Sequence, residues 1–348
     1  MHFASDNSGP VHPRVMQAMV AANEGYAMPY GADALMVEVQ ARIREIFEAP
    51  EAAVYLVATG TAANSLALAT MCQPFHTVFC SPVAHIHEDE CNAPEFYTGG
   101  AKLTLVGEGD KMTPEVLEAA IAFEESRGVH GPQRGPVSIT NVTERGTVYS
   151  AAEVAALAAV AKGYGLPVHL DGARFANALV ATGASAAEMT WKAGVDAVSF
   201  GGTKNGLMGV EAVILFDPEK AWEFELRRKR GAHLFSKHRY LSAQMLAYLE
   251  DGLWLETARA ANAAQARLSE GLRAVAGVEF LYAPEANMSF AAWSRTAHRR
   301  LHEAGAQYYL WESVLEGQDP DEMLAARMVT DWSARDEDID RFVELVKG

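Results

Sequence analysis

The sequence is organised around the stretch from residue 167 to residue 216, which reads PVHLDGARFANALVATGASAAEMTWKAGVDAVSFGGTKNGLMGVEAVILF. One apolar run in this stretch ends in Asp171, and a second run ends in Ser199-Phe200, about one helical crossover later. Lys204 follows the second run in a loop rich in glycine. Because parallel strands end at one edge of their sheet, we expect the acid and the amine to share a pocket there.

An acid close to a lysine is the pair of groups that pyridoxal phosphate requires. The lysine amine binds the aldehyde of the cofactor, and a carboxylate beside the pyridine nitrogen keeps that nitrogen protonated. Gly-Ala-Arg-Phe follows Asp171 and Ser-Phe-Gly-Gly-Thr precedes Lys204, so small residues and hydroxyls stand where a ring and a phosphate would lie. Asp and Lys also end many strands by chance, and the hypothesis therefore depends on these neighbours.

Composition and charge limit the class of protein. The 348 residues are 49% apolar, which is enough for one large domain with a smaller one beside it. A formal net charge of −16 argues against nucleic-acid and membrane-surface partners, because those surfaces are anionic too. No apolar run approaches the ~18 residues of a membrane span, and the first residues lack the pattern of a signal peptide. We therefore predict a cytoplasmic protein.

The cysteines suggest neither a disulfide framework nor a metal site. The chain has three, an odd number, and no CxxC motif. Histidines interleave with them, which raises zinc as an alternative, yet the close spacing of paired zinc ligands is missing. We predict no metal. The residues concerned are Cys72, Cys80, Cys91, His76, His85 and His87.

Short apolar runs alternate with amphipathic or alanine-rich stretches through the first two thirds of the chain. This alternation indicates an α/β fold with a mostly parallel sheet sandwiched by helices. Asp33 is a candidate N-cap for the first helix, and the glycine- and proline-rich segment 128–136 is predicted to be a surface loop. The predicted strands are Ala53–Ala58, Thr77–Cys80, Leu103–Val106, Val137–Thr140, Val168–Leu170 and Glu211–Phe216, and the predicted helices include Asp33–Glu48, Thr113–Ser126 and Ala151–Lys162.

The pattern of apolar and polar residues changes towards the end of the chain. Residues 241–272 read as one or two long helices, and short strands follow Gly277 with a last helix from Asp336 to Val346. This pattern predicts a smaller C-terminal α+β domain. We divide the chain into an N-terminal arm (residues 1–13), a large domain (14–250) and a small domain (251–348), and by default the arm is solvated.

Several other residues are candidates for the pocket. Gly60 and Thr61 open a helix directly after a strand, where free amides bind anions, although many ordinary turns look the same. His85 follows another strand end, and a neutral imidazole can stack on a pyridine ring; surface histidines are nonetheless common. The position of Glu144 after a strand end is equally compatible with the pocket side of the sheet and with a solvated turn. Arg327 lies in an apolar strand and requires a carboxylate from the protein or from a substrate.

Two further features admit two interpretations each. Basic residues cluster between Arg227 and Arg239, which in an acidic protein favours an anion or a partner subunit, or else forms a solvated helix face. Tyr30 precedes the first long helix and either packs on that helix or has a separate role.

Seven motifs in order carry a resemblance to a known family. The sequence resembles the L-threonine aldolases, which are pyridoxal-phosphate enzymes of fold type I (aspartate aminotransferase-like). The resemblance covers nearly the whole chain and is strongest between residues 5 and 240. The motifs are SDN (5–7), YG (30–31), TGTAAN (59–64), AH (84–85), TERGTVY (143–149), LDGARFANA (170–178) and SFGGTKNG (199–206).

The resemblance implies roles around the cofactor. Lys204 would carry pyridoxal 5'-phosphate, Asp171 would pair with the pyridine nitrogen and His85 would stack on the ring. The phosphate would be bound by Gly60, Thr61 and Thr203, and Arg174 would lie near the phenolic oxygen of the ring and the substrate.

The resemblance also implies a substrate site and an assembly. Ser5 and Arg327 would hold the carboxylate of an amino-acid substrate, which would place the N-terminal arm (residues 1–13) at the active site. A second subunit would complete the site with its Tyr30 and with basic residues around Lys229 and Lys237, which implies a homodimer or homotetramer with shared active sites.

The implied reaction is retro-aldol cleavage of L-3-hydroxy-α-amino acids of the L-threonine and L-allo-threonine type to glycine and an aldehyde. Some family members carry a histidine where this chain has Glu144, so the base for the substrate hydroxyl is Glu144, His85 or a water. The alternative reaction on the same scaffold is β-elimination with release of ammonia and a keto acid. A cofactor-binding protein without turnover, or a plain oligomerisation module, are the non-enzymatic alternatives.

Overall fold

The computed structural model describes residues 1–124 and 126–348, which form two β-sheets with helices packed against them. The strands of the large sheet are β1 (Ala53–Val57), β2 (His76–Cys80), β3 (Lys102–Leu105), β4 (Gln133–Thr140), β5 (Val168–Gly172), β6 (Ala197–Gly201) and β7 (Glu211–Leu215). The strands of the small sheet are β8 (Glu279–Phe280), β9 (Met288–Ser294), β10 (Tyr309–Leu310) and β11 (Met323–Val329).

The helices include three short ones, of four to six residues, and eleven longer ones in the described part of the chain. In chain order they are α1 (Pro13–Ala21), α2 (Ala34–Ile46), α3 (Gly60–Met71), α4 (His85–Glu88), α5 (Ala93–Thr98), α6 (Pro114–Phe123), α7 (Ala151–Gly163), α8 (Phe175–Thr182), α9 (Ala186–Met189), α10 (Ala221–Arg230), α11 (Arg239–Leu249), α12 (Leu253–Arg273), α13 (Arg295–Glu303) and α14 (Asp336–Lys347).

The large sheet is mostly parallel, as predicted. Its strand order is β1-β7-β6-β5-β4-β2-β3, and only β7 runs antiparallel to both of its neighbours. The carboxyl ends of β1, β5 and β6 therefore lie at one edge of the sheet, together with the first residue of β7. Asp171 of β5 pairs with Ser199 of β6, so the two strand ends predicted to meet are adjacent.

Apolar side chains cover both faces of the large sheet, which confirms the predicted sandwich. Val198 and Phe200 of β6 belong to a core cluster that includes Phe47 after α2 and Tyr248 of α11. Ala197, the residue before Val198 on β6, belongs to a second cluster with residues of α3 and α10. Since successive side chains of a strand point to opposite faces, this division follows from the period of a strand.

Local capping fixes the ends of several predicted helices. Asp33 accepts a hydrogen bond from the backbone N–H of Met36 and caps α2. Thr113 caps α6, which ends at Phe123, whereas the sequence predicted a helix to Ser126; Glu125 of that prediction lies outside the described residues.

The prediction of a surface loop across residues 128–136 was partly wrong. Strand β4 already begins at Gln133 and pairs with β2, with a register shift between Thr77 and Phe79. A Cβ atom on Gly135 would lie 2.5 Å from the carbonyl oxygen of Thr77, so glycine here permits close approach of two strands. The glycine and the proline that suggested a loop instead mark an irregular strand.

The expectation of a solvated N-terminal arm was also wrong. Phe3 is 1% exposed and packs edge-on against Phe342 of α14. Its backbone N–H donates to the carbonyl oxygen of Gln307, and its carbonyl oxygen accepts from the backbone N–H of Val329. These bonds attach the arm to the small sheet, and they link two parts of the chain that are distant in sequence.

The two predicted long helices are separate. Asp251 (φ 52°) and Gly252 (φ 72°) break the chain between α11 and α12. After the break, α12 packs against α8 beside the large sheet and against α14 beside the small one. The proposed domain boundary after residue 250 stays a prediction. In the described part of the chain, no helix is long and apolar enough to cross a membrane.

Candidate active site

A cavity at the carboxyl edge of the large sheet brings most of the candidate residues together. It receives residues from the ends of β1, β5 and β6, from the start of β7, from α3 and α4, and from the N-terminal arm. Its lining includes Asn7, Thr59, Gly60, Thr61, Asn64, His85, Glu90, Asp171, Thr203, Lys204 and Glu211.

Asp171 is a buried carboxylate whose hydrogen-bond partners are uncharged. It is 2% exposed, its Oδ1 accepts from the backbone N–H of Ala173, and its Oδ2 accepts from Nδ2 of Asn64 at 2.9 Å. Among the described residues it forms no ion pair, and a buried unpaired carboxylate is costly. The carboxylate of Asp171 is therefore suited to bind a cationic or N–H-bearing group of a ligand.

The loop that carries Lys204 depends on two glycines. A Cβ atom on Gly201 would lie 2.2 Å from the carbonyl oxygen of Ala173, and one on Gly202 would lie 2.4 Å from Leu207. Glycine thus allows the end of β6 to approach the segment directly after Asp171. A short 3-10 turn over Thr203–Asn205 then presents Lys204 to the cavity.

The first turn of α3 lies on another side of the same cavity. The side chain of Thr59 caps the helix by accepting from the backbone N–H of Ala62. Gly60 and Thr61 are the first two helical residues, whose N–H groups lack carbonyl partners within the helix. Since Thr203 lines the cavity as well, backbone donors and a hydroxyl are available there for an anion.

His85 is held by a buried glutamate that the sequence did not single out. Its Nδ1 lies 2.9 Å from Oε1 of Glu90, and Asn64 Nδ2 donates to the same oxygen at 2.8 Å. Burial alone lowers the pKa of His85, but the hydrogen bond to Glu90 and the charges of Glu144 and Asp171 outweigh burial, so that the pKa is raised. Asn64 thereby connects the partner of His85 to Asp171.

Arg174 and Asp6 form a buried ion pair beside the cavity. Nε and Nη2 of Arg174 donate to the two carboxylate oxygens of Asp6 at 2.7 and 3.0 Å, and Asn287 donates to Asp6 as well. Burial opposes both charges, yet the pair lowers the pKa of Asp6 and raises that of Arg174. The predicted contacts of Arg174 with a ring oxygen and a substrate stay predictions.

Arg327 forms no ion pair among the described residues. Its Nη1 lies 3.5 Å from the carbonyl oxygen of Ala4, next to the half-buried Ser5. Burial and the neighbouring charge of Arg174 lower its pKa, while Glu144 and Asp6 partly offset them. A half-buried guanidinium of this kind is suited to a carboxylate ligand.

Tyr30 lies apart from this cavity. It is 49% exposed, has φ 59°, and Nζ of Lys229 stands 4.9 Å from the centre of its ring. The structure therefore places Tyr30 close to Lys229. The resemblance implied that both serve the site of a neighbouring subunit.

Sequence reasoning missed Asn64, Glu90 and Glu211 as site residues. Asn64 ends the TGTAAN motif and Glu90 follows His85 by five positions, but no local pattern links either to Asp171. Glu211 opens an apolar strand, where an acid is unusual; that oddity was a usable signal.

The side chains that line the cavity fit pyridoxal phosphate. Lys204 supplies an amine, Asp171 an unpaired carboxylate, and the first turn of α3 supplies anion-binding amides. Two buried atoms, Asn64 Oδ1 and Glu90 Oε2, have no hydrogen-bond partner among the described residues, as expected for a site built around a further polar group. Burial raises the pKa of Cys72 and of Cys80 to about 12. Within the described ranges, no group of three His, Cys, Asp or Glu side chains is placed so that it could hold a metal ion.

Comparisons with known proteins agree with this architecture. The structure matches a threonine aldolase from Leishmania major with a TM-score of 0.92 at 27% identity, covering 99% of this chain and 98% of the other. It also matches a serine palmitoyltransferase from Sphingomonas wittichii with a TM-score of 0.72 at 14% identity, covering 100% of this chain and 86% of that one. The fold is that of the pyridoxal-phosphate enzymes of fold type I.

Sequence comparisons narrow the class to a family. A model of the beta-eliminating lyase family matches residues 2–294. A low-specificity L-threonine aldolase from Pseudomonas sp. strain NCIMB 10558 is 42% identical over 309 residues, 88% of each chain. One from Pseudomonas aeruginosa is 40% identical over 347 residues, 99% of this chain and 96% of the relative. The chain belongs to the beta-eliminating lyase family and, within it, to the low-specificity L-threonine aldolases.

Proposed function

We propose that the protein binds pyridoxal 5'-phosphate and cleaves L-3-hydroxy-α-amino acids of the threonine type into glycine and an aldehyde. The observation that carries the proposal is the shared cavity of Lys204, Asp171, His85 and the first turn of α3. When bound, the cofactor supplies a ring that accepts the electrons of the broken Cα–Cβ bond.

The chain's own residues would bind and orient the reactants. Lys204 would hold the cofactor, Asp171 would keep its ring nitrogen protonated, and Gly60, Thr61 and Thr203 would hold its phosphate. The unpaired guanidinium of Arg327, with Ser5 beside Ala4, would fix the substrate carboxylate and so set the angle of the bond to be broken.

His85 is the group best suited to accept the proton of the β-hydroxyl. Glu90 holds its Nδ1, so Nε2 is free to accept a proton. Glu144 acts on the pKa of both His85 and Arg327 and provides a second carboxylate in the same region.

We further propose a homodimer or homotetramer that works in the cytoplasm, with Tyr30 and its basic neighbours serving the site of the adjacent subunit. The exposed side chain of Tyr30, outside its own chain's cavity, supports the shared site. The free thiols of Cys72, Cys80 and Cys91 agree with a reducing compartment.

Product analysis tests the reaction. Purified protein would be incubated with L-threonine, L-allo-threonine, phenylserine and β-hydroxyaspartate, and glycine, aldehyde, ammonia and keto acid would be quantified. Glycine and aldehyde in equal amounts are expected. Ammonia and a keto acid instead would establish the β-eliminating alternative.

Two substitutions test the assigned roles. Lys204→Ala is expected to abolish the absorbance band at about 420 nm, and retention of that band after dialysis would remove Lys204 from its role. Asp171→Asn is expected to keep part of the band and to lose most turnover, because the neutral amide no longer favours a protonated ring nitrogen. Full turnover in Asp171→Asn would refute that assignment.

A further inference from the structure

Asn64 is a buried amide that lies between two acidic residues of the cavity. It belongs to α3 and is 2% exposed. Its Nδ2 donates to Oε1 of Glu90 at 2.8 Å and to Oδ2 of Asp171 at 2.9 Å. An amide NH2 group carries two hydrogens, so both are used and one group serves two carboxylates. Asn64 therefore joins α3 to the end of β5 and to the segment that follows α4.

The orientation of the Asn64 amide is decided by these two carboxylates. If the amide were turned over, its Oδ1 would face two carboxylate oxygens, which have no hydrogen to offer it. In the observed orientation Oδ1 is buried and has no hydrogen-bond partner among the described residues, which is costly. Two hydrogen bonds to carboxylates offset that cost, because bonds to charged acceptors are stronger than bonds between neutral groups. The amide is thus placed for what it donates.

The two acceptors of Asn64 lead to two functional groups. Asp171 is held at both oxygens, because its Oδ1 accepts from the backbone N–H of Ala173 at 3.1 Å. The plane of this carboxylate is therefore fixed. Glu90 Oε1 receives Asn64 on one side and lies 2.9 Å from Nδ1 of His85 on the other. One NH2 group thus holds Asp171 directly and His85 through Glu90.

We propose that Asn64 is a positioning residue that sets the directions of Asp171 and His85 together. The acceptor for the ring nitrogen and the base for the β-hydroxyl then keep one fixed relation to the bound ring. The proposal rests on the proposed function, which assigns both groups to the same ring. An amide that merely joined α3 to its neighbours would affect the stability of the fold and not the titration of His85.

A titration of His85 separates these two roles. Asn64→Leu removes the NH2 group at a similar side-chain volume. Glu90 Oε1 then has one donor instead of two and accepts more strongly from His85, so the pKa of His85 is expected to rise by about half a pH unit or more. NMR titration of the full-length protein as purified measures this change. The other charges that act on His85 are unchanged in the variant, namely those of Glu144, Asp171 and Lys204.

The kinetic constants should separate as well. Asn64→Leu is expected to lower kcat by about tenfold or more, because Asp171 and the partner of His85 each lose an orienting donor. The KM for L-threonine should stay within about twofold, since Arg327 is untouched. Thr70→Val is the matched control: Thr70 is 4% exposed on the same helix, and its hydroxyl donates to the carbonyl oxygen of Leu66. This variant should change neither kcat nor the pKa of His85.

An unchanged or lowered pKa of His85 in Asn64→Leu would overturn the proposal, as would an unchanged kcat. If that variant does not fold, selective 15N labelling of asparagine reports the two side-chain hydrogens of Asn64. The signal of the hydrogen that points to Glu90 should shift as His85 titrates in the natural protein. The other should move upfield in Asp171→Asn, which removes its charged acceptor. Absence of either response overturns the proposal.

Failure of the proposed function would give a different result. In that case the natural protein would release no glycine from L-threonine. The titration of His85 and the signals of Asn64 are measured without substrate, so their outcome does not depend on glycine release.

Discussion

At the scale of single residues, the site works through charges that are buried but not all paired. Asp171 and Arg327 lack ion-pair partners among the described residues, whereas Asp6 and Arg174 neutralise each other nearby. Unpaired buried charges are costly in the free protein, and they are stabilised when a ligand supplies the opposite charge. The predictions at this scale concern the groups that set those charges.

Glu90 should control the proton affinity of His85. Glu90→Gln keeps an oxygen for His85 Nδ1 and removes the negative charge, so we expect the pKa of His85 to fall. We also expect kcat/KM to fall by about tenfold or more, because a less basic and less firmly oriented imidazole accepts a proton less well. NMR titration of His85 measures the first effect. Glu88→Gln, on the exposed face of α4, is the matched control, and an unchanged His85 titration in Glu90→Gln would contradict the role.

Arg327 should act on the substrate and not on the cofactor. Lysine retains the charge but lacks the planar fork that binds a carboxylate through two N–H groups. For Arg327→Lys we therefore expect KM for the amino acid to rise by roughly tenfold while the cofactor absorbance is retained. Steady-state kinetics and a spectrum give both values, with the exposed Arg341→Lys as control. Loss of the cofactor with unchanged KM would move Arg327 to another role.

At the scale of elements, strand ends set the distances within the site. The acid and the lysine meet because β5 and β6 are adjacent and parallel, and glycine lets their ends approach. The antiparallel β7 brings Glu211 to the same edge. The two predictions at this scale concern the contacts between neighbouring strands.

Gly201→Ala should disrupt the end of β6. The added methyl would lie 2.2 Å from the carbonyl oxygen of Ala173, a backbone atom that cannot move without displacing the segment after Asp171. We expect a loss of about 2 kcal/mol or more in the free energy of unfolding, together with weaker cofactor binding. Gly163→Ala, at the end of α7 with open space around it, is the control and should be neutral or slightly stabilising. Urea unfolding and cofactor titration measure both effects; equal stability of the two variants would contradict the argument.

His169 should make the large sheet sensitive to acid. It is fully buried on β5 and bridges Ser138 of β4 and Ser199 of β6 at 3.0 Å each. Burial lowers its pKa to about 4, and the charge of Asp171 only partly opposes burial. The pKa of a histidine in an unfolded chain is about 6.5, so between pH 4 and pH 6.5 the unfolded chain binds a proton that the folded chain does not. Stability is therefore lost as the pH falls from about 6.5 to about 4.

The test compares unfolding at two pH values. Between pH 7 and pH 5, protonation of His169 in the unfolded chain should lower the free energy of unfolding by about 2 kcal/mol. The His169→Gln variant should not show this loss, whatever its stability at pH 7. Urea unfolding followed by circular dichroism gives the free energies. The exposed His87→Gln should keep the dependence of the natural protein. The same dependence in His169→Gln would show that His169 is not the responsible group.

Much of this arrangement could be predicted from local sequence, and the remainder could not for physical reasons. Apolar runs mark β5 and β6, and Asp171 and Lys204 stand where those runs stop, so their common edge followed from the parallel sheet. The contacts of Asn64 with Glu90 and Asp171 join residues 26 and 107 positions apart, and the pair of Asp6 and Arg174 spans 168 positions. No local period encodes such contacts.

At the scale of the whole molecule, several large apolar side chains near the N-terminus and one on α10 are unusually exposed. Near the N-terminus Val20, Tyr26, Met28 and Tyr30 are 68%, 107%, 66% and 49% exposed, and Trp222 of α10 is 68% exposed. Exposed large apolar side chains close together are typical of protein interfaces. They agree with the proposed oligomer, in which Tyr30 serves the neighbouring site.

Mixing two inactive variants decides which site Tyr30 serves. Tyr30→Ala alone is expected to lose most activity, and Lys204→Ala all of it. In a mixed dimer, one site joins the altered lysine with the altered tyrosine, and the other joins Lys204 of one chain with Tyr30 of its partner. Random assembly makes about half of the dimers mixed with one intact site each, so co-expressed or co-refolded chains should recover about a quarter of the natural activity. If Tyr30 served its own chain, every site would contain one altered residue and mixing would recover nothing.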